Sequence, residues 1–386
     1  MSASETSKKI VILGSAYPLR GGLAAYNERI ARAFTDRGDI TEIFTFSLQY
    51  PGFLFPGKTQ FSSEPSPKDL KIESGLNSIN PLSWINIGRR INKLKPDLLI
   101  IKFWLPFMGP CLGTVARIVR KNRKTKVISI LDNIIPHEKR IGDFALARYF
   151  VKYVDGFVAM SDQVMNDLSK FDIKKPRAFC PHPLYDHFGK RTSKVEARKN
   201  LGLDVENKYL LFFGFIRDYK GLDILLKAMA DPRTEDLNIK LLVAGEFYTD
   251  SKPYFELIDS LGIADRVIMS NDFIPDSQVA DYFNAADLVV QPYKDATQSG
   301  VTQIAYHFEK PMITTNVGGL AEIVPDGKVG YVIQPDEKEL ADAIIKFFTE
   351  SKESDFVDNL KVEKQKYSWE RMLETIDKLV ENDIPQ

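Results

Sequence analysis

The feature that most constrains this chain is a regular alternation of short apolar runs with longer amphipathic stretches. In the second half, the runs predicted as strands lie at 208–214, 239–244, 266–270, 287–291, 311–315 and 330–333. In the first half they lie at 9–14, 41–46, 98–101, 127–131, 155–160 and 177–180. The stretches between them repeat apolar residues at helical spacing. Because strands that alternate with helices form parallel sheets covered on both faces, the sequence predicts an α/β fold with two doubly wound sheets.

The chain is long enough for two domains of similar size, since 386 residues exceed one ordinary domain. Pro181-His182-Pro183 follows the sixth strand and, with the polar run 189–200, predicts a linker. We therefore expect an N-terminal domain at 1–190 and a C-terminal domain at 191–365. Residues 366–386 predict an amphipathic helix that returns to the first domain.

Residues 47–80 interrupt the alternation of strands and helices. They include prolines at 51, 56, 65 and 67. We expect a long loop here, and loops of this length inside compact folds are usually functional or mobile.

Charge and composition exclude several classes of protein. Lys+Arg and Asp+Glu number 52 each, so no overall field attracts nucleic acid. Two cysteines, Cys111 and Cys180, suit a reducing compartment. The polar start predicts no signal peptide, and no segment reaches the roughly 18 apolar residues of a membrane span. We expect a soluble, cytoplasmic protein that does not bind nucleic acid.

The region 89–126 is locally basic, with eleven Lys or Arg and one acidic residue, Asp97. Several of the basic residues lie on or just after a helix predicted to begin near Gly113, beside the aromatic stretch 103–107. Such a helix either contacts an anionic membrane surface at the inner face of the cell membrane or is a solvated basic face.

A predicted helix N-terminus in the second half is a candidate anion site. Gln298, Ser299, Gly300, Val301 and Thr302 follow the strand at 287–291 and begin a helix. Free backbone N–H groups and the positive end of the helix dipole favour an anion there. The alternative is an ordinary connection between a strand and a helix of a parallel sheet.

Two cations follow another strand of the same half. Arg217 and Lys220 come after the strand 208–214, which ends at Gly214. A planar guanidinium and a point charge would together neutralise a diphosphate, or the two are a pair of surface cations. Glu246 and Glu322 follow further strands, where they bond sugar or ribose hydroxyls or act as helix-end charges.

In the first half, polar residues and glycines gather where strands end. Gly21 and Gly22 follow the first strand, as a plain tight turn or as a place where the backbone approaches a ligand closely. Asp132 and His137 follow the fourth strand and are candidates for acid–base or hydroxyl-binding roles. The chain has no G-x-G-x-x-G, no Asp-x-Asp and no His/Cys cluster with metal spacing, so we expect neither a dinucleotide nor a metal cofactor.

As a set, these motifs resemble the family 4 retaining glycosyltransferases of the GT-B fold. The resemblance covers most of 209–335, and the first half is similar more weakly, through Gly21-Gly22 and 132–138. It implies two Rossmann-like domains facing a central cleft. It also implies that a sugar passes from a nucleotide diphosphate sugar to an acceptor hydroxyl, with retention at the anomeric carbon and without a metal. The implied setting is the synthesis of a polysaccharide or a lipid-linked glycan.

The resemblance also implies roles for individual residues. Lys220 and Arg217 would hold the diphosphate with help from the amides of 299–302, and Gly21-Gly22 would approach the phosphates from the other domain. Asp132 or His137 would orient the acceptor or the transferred sugar. The expected partners are a nucleotide-sugar donor and a glycan or lipid-linked acceptor.

The chain departs from the family pattern in ways that leave two alternatives open. The places of the family's two glutamates are taken by Ala296 and Ile304, with Asp295 or Gln303 one residue away. One alternative is a nucleotide-sugar 2-epimerase of the GT-B fold, which needs an acid–base carboxylate pair that the sequence does not identify. The other is a catalytically silent scaffold in a glycan-assembly complex, which the missing glutamates favour and the retained cations oppose.

Overall fold

The computed structural model describes residues 7–52, 59–136, 140–296 and 299–381. The chain divides into two compact units. The first consists of Met1–Pro183 and Tyr367–Gln386, and the second of Leu184–Lys366. Each unit contains one sheet in which every neighbouring pair of strands is parallel. The prediction of two doubly wound α/β units is therefore confirmed.

The first unit has a seven-stranded sheet in the order β3-β2-β1-β4-β5-β6-β7. Its strands are β1 (Lys9–Leu13), β2 (Ile40–Leu48), β3 (Ile72–Asn77), β4 (Leu98–Phe103), β5 (Lys126–Leu131), β6 (Gly156–Ala159) and β7 (Arg177–Phe179). Its helices are α1 (Gly22–Asp36), α2 (Pro81–Leu94), α3 (Gly109–Val119), α4 (Asp143–Lys152) and α5 (Asp162–Leu168). The strand order reverses between β1 and β4, and such switch points form the ligand crevices of open α/β sheets.

The second unit has a six-stranded sheet in the order β10-β9-β8-β11-β12-β13. Its strands are β8 (Lys208–Phe213), β9 (Ile239–Ala244), β10 (Val267–Ser270), β11 (Leu288–Gln291), β12 (Met312–Thr315) and β13 (Gly330–Ile333). Its helices are α6 (Lys194–Asn200), α7 (Leu222–Met229), α8 (Pro232–Asp236), α9 (Lys252–Leu261), α10 (Asp276–Ala285), α11 (Gly300–His307), α12 (Leu320–Ile323), α13 (Glu337–Thr349) and α14 (Glu353–Glu363). The switch point lies between β8 and β11.

The central strands are mainly apolar because helices cover both faces of each sheet. All six residues of β4 are buried, as are all four of β11. Some of the helices begin at side-chain caps that the sequence supplies. Asn80 accepts a hydrogen bond from the backbone N–H of Leu82, and Ser161 accepts one from that of Val164.

The last helix, α15 (Trp369–Glu381), packs within the first unit. Its N-cap Ser368 accepts a hydrogen bond from the backbone N–H of Arg371 at 3.3 Å. The Trp369 ring lies 5.1 Å from that of Tyr26 in α1, and Asp377 forms an ion pair with Lys8 at 3.0 Å. This helix therefore contributes its apolar stripe to the core of the first unit.

The prediction that 47–80 is one long loop was wrong. Residues 72–77 form β3, the edge strand of the first sheet, which pairs with β2 alone. Only Leu76 of this strand is buried, because an edge strand has one neighbour and an open side. Its polar sequence therefore lacks the apolar pattern that identifies a central strand. Residues 53–58 lie outside the described residues.

Two other boundaries differ from the prediction. The helix expected near Gly113 begins at Gly109, directly after a short 3-10 turn at Pro106–Met108. The polar run 189–200, expected as linker, ends in α6, whose N-cap Ser193 bonds the backbone N–H of Glu196. The segment at α6 was misjudged because its Ser193 cap outweighs the local polarity, whereas α3 begins at Gly109 without a side-chain cap.

Candidate functional site

Arg217 and Lys220 lie at the carboxyl edge of the second sheet, on the β8 side of its switch point. A 3-10 turn at Asp218–Lys220 follows the end of β8. Gly214 has a φ of +97°, and a Cβ there would lie 3.1 Å from Lys220 Nζ and 3.6 Å from a methyl carbon of Val301. The glycine therefore makes room for the lysine amine, which lies close to the first turn of α11.

Within the part of the chain that the structure describes, no carboxylate neutralises these two cations. Among the described residues, neither Arg217 nor Lys220 forms an ion pair. The Arg217 guanidinium lies 5.2 Å from the centre of the Tyr248 ring, and Lys220 Nζ lies 5.4 Å from that of Tyr293. Burial of the amine lowers the pKa of Lys220, and the charge of Arg217 lowers it further. Two adjacent cations without a counterion form a site that an anion would stabilise.

The N-terminus of α11 faces the same switch point from the β11 side. Ser299 is the N-cap, but its side chain makes no capping bond to the helix and its Oγ lies 3.3 Å from Tyr293 Oη. Thr302 Oγ1 donates to Gln291 Oε1 at 3.0 Å inside the unit, so only the backbone of Thr302 could serve a ligand. Gln298, a predicted donor residue, lies outside the described residues.

Gly300 is required by packing at this N-terminus. A Cβ at Gly300 would lie 2.8 Å from Cε2 of Tyr185, a residue of the same unit that is 5% exposed. The tyrosine ring therefore lies directly against the first turn of α11. Tyr185 was not identified from the sequence, and its place in an irregular segment gave no signal of this contact.

The two predicted glutamates differ in position. Glu246 follows β9, the neighbour of β8, and is 2% exposed. It does not lie at the start of a helix, because the next helix, α9, begins at Lys252. Glu322 follows β12, which β11 separates from β8, and its exposed side chain lies in the first turn of α12. The position of Glu322 fits the helix-end alternative, because an acidic residue in a first turn complements the helix dipole.

The two residues considered as substitutes for the family's glutamates occupy different environments. Gln303 is fully buried, and its side-chain nitrogen and oxygen have no hydrogen-bond partner among the described residues. Asp295 is exposed. A ligand at the surface of the unit could contact Asp295 but not the side chain of Gln303.

In the first unit, Asp132 is paired with a lysine that sequence analysis missed. Lys102 is the last but one residue of β4 and is 1% exposed, and its Nζ donates to Asp132 Oδ1 at 2.8 Å. The same Nζ lies 3.4 Å from the centre of the Tyr26 ring. Burial lowers the pKa of Lys102, and Asp132 opposes that shift. The signal in the sequence was a single charge inside the apolar run Leu98–Phe103.

His182 completes this buried cluster. Its ring meets that of Tyr26 edge-on, with centres 5.0 Å apart, and its Nδ1 lies 2.7 Å from the carbonyl oxygen of Pro183. Burial, reinforced by the charge of Lys102, lowers the pKa of His182 to about 3. The imidazole is therefore neutral at physiological pH. His137, the other predicted catalytic residue, lies outside the described residues.

The predicted glycines of the first unit lie at its switch point. Gly21 is the N-cap of α1 with a φ of +96°, a conformation that favours glycine. Its carbonyl oxygen accepts hydrogen bonds from the backbone N–H groups of Ala24 and Ala25. Gly22 is the first residue of α1, directly beyond the β1 edge. Both interpretations of Gly21-Gly22, a tight turn and a close approach of the backbone to a ligand, are compatible with that position.

The described part of the chain contains neither a group of metal ligands nor a helix that could span a membrane. Within 7–52, 59–136, 140–296 and 299–381, no three His, Cys, Asp or Glu side chains are grouped as metal ligands. In the same residues, no helix is both long enough and apolar enough to cross a bilayer.

Comparison with solved structures identifies the class of fold as GT-B. The chain matches the Anabaena HepE protein solved in complex with UDP at a TM-score of 0.73 and 18% identity, over 97% of this chain and 100% of that one. It matches the sucrose-phosphate synthase of Thermosynechococcus elongatus at a TM-score of 0.72 and 16% identity, over 97% and 99% of the two chains. At these identities the likeness establishes the fold.

Sequence similarity to known proteins lies mainly in the second unit. Residues 193–361 match the family model "Glycosyl transferases group 1". A D-inositol 3-phosphate glycosyltransferase of Thermobifida fusca is 27% identical over 358 residues, 86% of this chain and 81% of that protein. The chain is therefore similar in sequence to glycosyltransferases over these residues.

Other relatives are matched over a smaller part of their length. A D-inositol 3-phosphate glycosyltransferase of Segniliparus rotundus is 34% identical over 143 residues, 36% of this chain. The match spans 32% of that protein and 35% of the Corynebacterium diphtheriae relative. The similarity is thus strongest in part of the chain, and it leaves the activity of the whole protein to be tested.

Proposed function

We propose that this protein is a family 4 glycosyltransferase that moves a sugar from a nucleotide diphosphate sugar to an acceptor hydroxyl. In this proposal the anomeric configuration is retained and no metal ion is required. The second unit binds the donor and the first contributes to binding the acceptor, a glycan or a lipid-linked saccharide. The reaction would serve the synthesis of a polysaccharide or a lipid-linked glycan.

The observation that carries the proposal is the unneutralised cation pair, Arg217 and Lys220, at the switch point of the second sheet. Lys220 Nζ lies next to the first turn of α11, where Ser299 leaves the N-terminus without a side-chain cap. Two cations and a helix N-terminus supply the charge that a diphosphate needs. A scaffold without a ligand would gain nothing from a lysine whose pKa is lowered by burial.

In the reaction, these groups would act on the leaving group. As the bond from the sugar to the β-phosphate oxygen breaks, negative charge accumulates on the nucleoside diphosphate. Lys220 and Arg217 would stabilise that charge in place, as preorganised cations do in other active sites. The backbone amides of Val301 and Thr302 and the close approach allowed by Gly214 and Gly300 would assist, and Glu246 would bond a sugar or ribose hydroxyl.

An aromatic group next to Arg217 is a candidate contact for the base of the nucleotide. The rings of Phe215 and Tyr248 lie 4.2 Å apart between centres, and Phe273 lies 6.1 Å from Phe215. All three follow β8, β9 or β10 at the carboxyl edge of the sheet. A base stacks on such a surface through its π-face. Solved neighbours bound to UDP and UDP-glucose support testing uridine nucleotides first.

In the first unit, we propose that Asp132 orients the acceptor hydroxyl or the transferred sugar. Lys102 holds this carboxylate through their 2.8 Å contact. His137, Gly21 and Gly22 keep the roles that the family resemblance implies, and so does Glu322 as a sugar or ribose contact. The relatives named as D-inositol 3-phosphate glycosyltransferases support including inositol phosphates among the acceptors tested.

The test is the release of nucleoside diphosphate from a panel of UDP-, ADP- and GDP-sugars, with and without acceptors. We expect one donor to be consumed, with and without a chelator, and Lys220→Ala to lower its turnover by about 10² to 10³-fold. NMR of the product would report whether its anomeric configuration matches that of the donor. Turnover of the donor by Lys220→Ala at the wild-type rate would refute the site.

The two alternatives give different results in the same assay. An epimerase would convert the nucleotide sugar without an acceptor and without net transfer. A silent scaffold would release no nucleoside diphosphate from any donor, and the absence of the glutamate pair at Ala296 and Ile304 is the observation in its favour.

A further inference from the structure

One layer of helices in the first unit is strongly basic on its exposed side. Helices α2, α3 and α4 pack side by side. They contain six cations and one acidic residue, Asp143; the cations are Arg89, Arg90, Lys93, Arg117, Arg148 and Lys152, all exposed. Arg90 pairs with Glu73, and the other five form no ion pair with any described residue. The layer therefore presents unneutralised positive charge to its surroundings.

Exposed apolar side chains lie beside this charge at α4. Ile141 is fully exposed, Phe144 is 43% exposed and Ile173 is 76% exposed. Phe144 stacks on Phe171 with ring centres 4.2 Å apart, which joins the start of α4 to the loop that precedes β7. Large apolar side chains exposed together in this way mark interaction sites more often than inert surface.

A groove connects the charged and the apolar parts. It encloses about 820 Å³ along α4, and its lining includes Phe144, Arg148, Lys152 and Phe171. The Arg148 guanidinium lies 4.8 Å from the centre of the Phe144 ring. The carboxylate of Asp172, also in the lining, accepts hydrogen bonds from the backbone of Lys174 and Lys175. The carboxylate of Asp172 forms its ion pair with Arg177 at 3.6 Å, and it forms none with the cations of α4.

The aromatic residues expected to accompany the basic region 89–126 do not form an exposed surface. Phe103 is fully buried and stacks on Phe150 at 4.3 Å, and Trp104 and Phe107 are partly buried against the core. The apolar component that a membrane contact requires is therefore found at α4 instead.

We propose that residues 141–152 and 171–175, here called the α4 surface, dock on a bilayer that contains anionic lipids. Ile141, Phe144 and Ile173 enter the boundary between headgroups and acyl chains, while Arg148 and Lys152 contact the headgroups. Arg89, Lys93 and Arg117 add longer-range attraction from the adjoining helices. Charge complementarity selects this occupant, because an uncharged surface would leave the cations unpaired. The proposal does not depend on sugar transfer or on the donor site.

The test is co-sedimentation of the full chain with vesicles of phosphatidylcholine, with and without phosphatidylglycerol. We expect binding to the anionic vesicles alone, weakened by high salt because screening reduces the attraction between surface charges. Arg148→Gln/Lys152→Gln and Ile141→Ser/Ile173→Ser should each lower the partition coefficient by about ten-fold or more. Thermal melting of each variant would show that it remains folded.

Matched controls lie in the second unit. Lys227→Gln/Lys338→Gln removes two exposed cations, and Val362→Ser removes a side chain that is 69% exposed. These should bind vesicles as the wild type does. Equal binding to neutral vesicles, equal losses in the controls, or wild-type binding by both α4 variants would overturn the proposal. A wild-type protein that binds no vesicles would also overturn the proposal. If that protein self-associated and the Ile141→Ser/Ile173→Ser variant did not, the occupant of the α4 surface would be a second copy of the chain.

Discussion

At Lys220, a positive charge lies in a partly buried position beside a second positive charge, and no carboxylate among the described residues balances either. Natural proteins keep such unfavourable arrangements where a ligand completes them, and they lose stability in the free state as a result. Removing the charge of Lys220 should therefore leave the free energy of unfolding unchanged or raise it, and should lower the affinity for ligand.

We predict that Lys220→Met leaves the free protein as stable as the wild type or stabilises it by up to about 2 kcal/mol, because a buried unpaired charge is removed. The same variant should lose the stabilisation that a nucleoside diphosphate gives. Urea unfolding with and without ligand measures both quantities. A large loss of stability in the free variant would show that Lys220 has a structural role instead.

Because His182 is buried in its neutral form, we predict that the first unit loses stability as the pH falls. The pKa of His182 is lowered from 6.5 to about 3 by burial, so between those values the unfolded chain binds a proton that the folded chain does not. The stability that the neutral imidazole contributes is therefore fully present above about pH 6.5 and is lost progressively as the pH falls toward 3. At about 1.4 kcal/mol for each pKa unit, this single group removes roughly 2 kcal/mol between pH 7.5 and pH 5.

Two variants separate the imidazole from the rest of its cluster. In His182→Gln, the difference in unfolding free energy between pH 7.5 and pH 5 should be smaller by that amount, because no imidazole remains to be protonated. Tyr26→Phe alters the same cluster without removing the imidazole, so it should keep the wild-type difference. An unchanged pH dependence in His182→Gln would contradict the buried neutral state.

At the scale of elements, the loop after β8 and the N-terminus of α11 meet at Gly214. We predict that Gly214→Ala lowers affinity for a nucleoside diphosphate by roughly ten-fold, a loss of about 1.4 kcal/mol. The reason is that a Cβ 3.1 Å from Lys220 Nζ displaces the amine. Calorimetric titration measures the affinity.

Gly262 provides a matched control in the same unit. It ends α9 with a φ of +66°, and a Cβ there would meet nothing within 4 Å. Both alanine variants should lose about 1–2 kcal/mol of stability from the left-handed backbone. Only Gly214→Ala should lose affinity, and an equal loss in Gly262→Ala would show that the effect is a general one of reduced stability.

The elements that the sequence identified best were the central strands and the amphipathic helices. All six strands predicted in the second unit are present, because each contains a run of apolar residues, the edge strands β10 and β13 included. The edge strand β3 was missed because its sequence, IESGLN, contains no such run. The short, polar helices α6 and α8 were also missed, because they contain few apolar residues. Only their N-cap residues, Ser193 and Asp231, indicated a helix.

Candidate residues were predictable where strand ends placed them, and unpredictable where tertiary packing did. Arg217, Lys220 and the Gly300 turn were found because the carboxyl edge of a parallel sheet collects ligand groups. Two contacts join residues far apart in sequence: Lys102 pairs with Asp132, and Tyr185 packs against Gly300. A single sequence has no local pattern for such contacts.

At the scale of the whole molecule, the two units have separate cores, and α15 belongs to the core of the first. We predict that Trp369→Ala, which empties a position only 3% exposed, destabilises the first unit by about 3–5 kcal/mol. Affinity of the native protein for a nucleoside diphosphate should stay unchanged, because the candidate donor residues of the second unit make no use of Trp369. A parallel loss of affinity measured under native conditions would contradict that separation.

The central claim is that the second unit binds a nucleoside diphosphate through Arg217 and Lys220. Calorimetric titration of the wild type and Lys220→Ala with a nucleoside, its monophosphate, its diphosphate and its diphosphate sugars tests it most directly. We expect wild-type affinity to rise sharply from the monophosphate to the diphosphate, and that increment to disappear in Lys220→Ala, because in the proposed site both cations are needed to neutralise the diphosphate. Binding that does not distinguish the diphosphate, or an increment that survives in Lys220→Ala, would contradict the account.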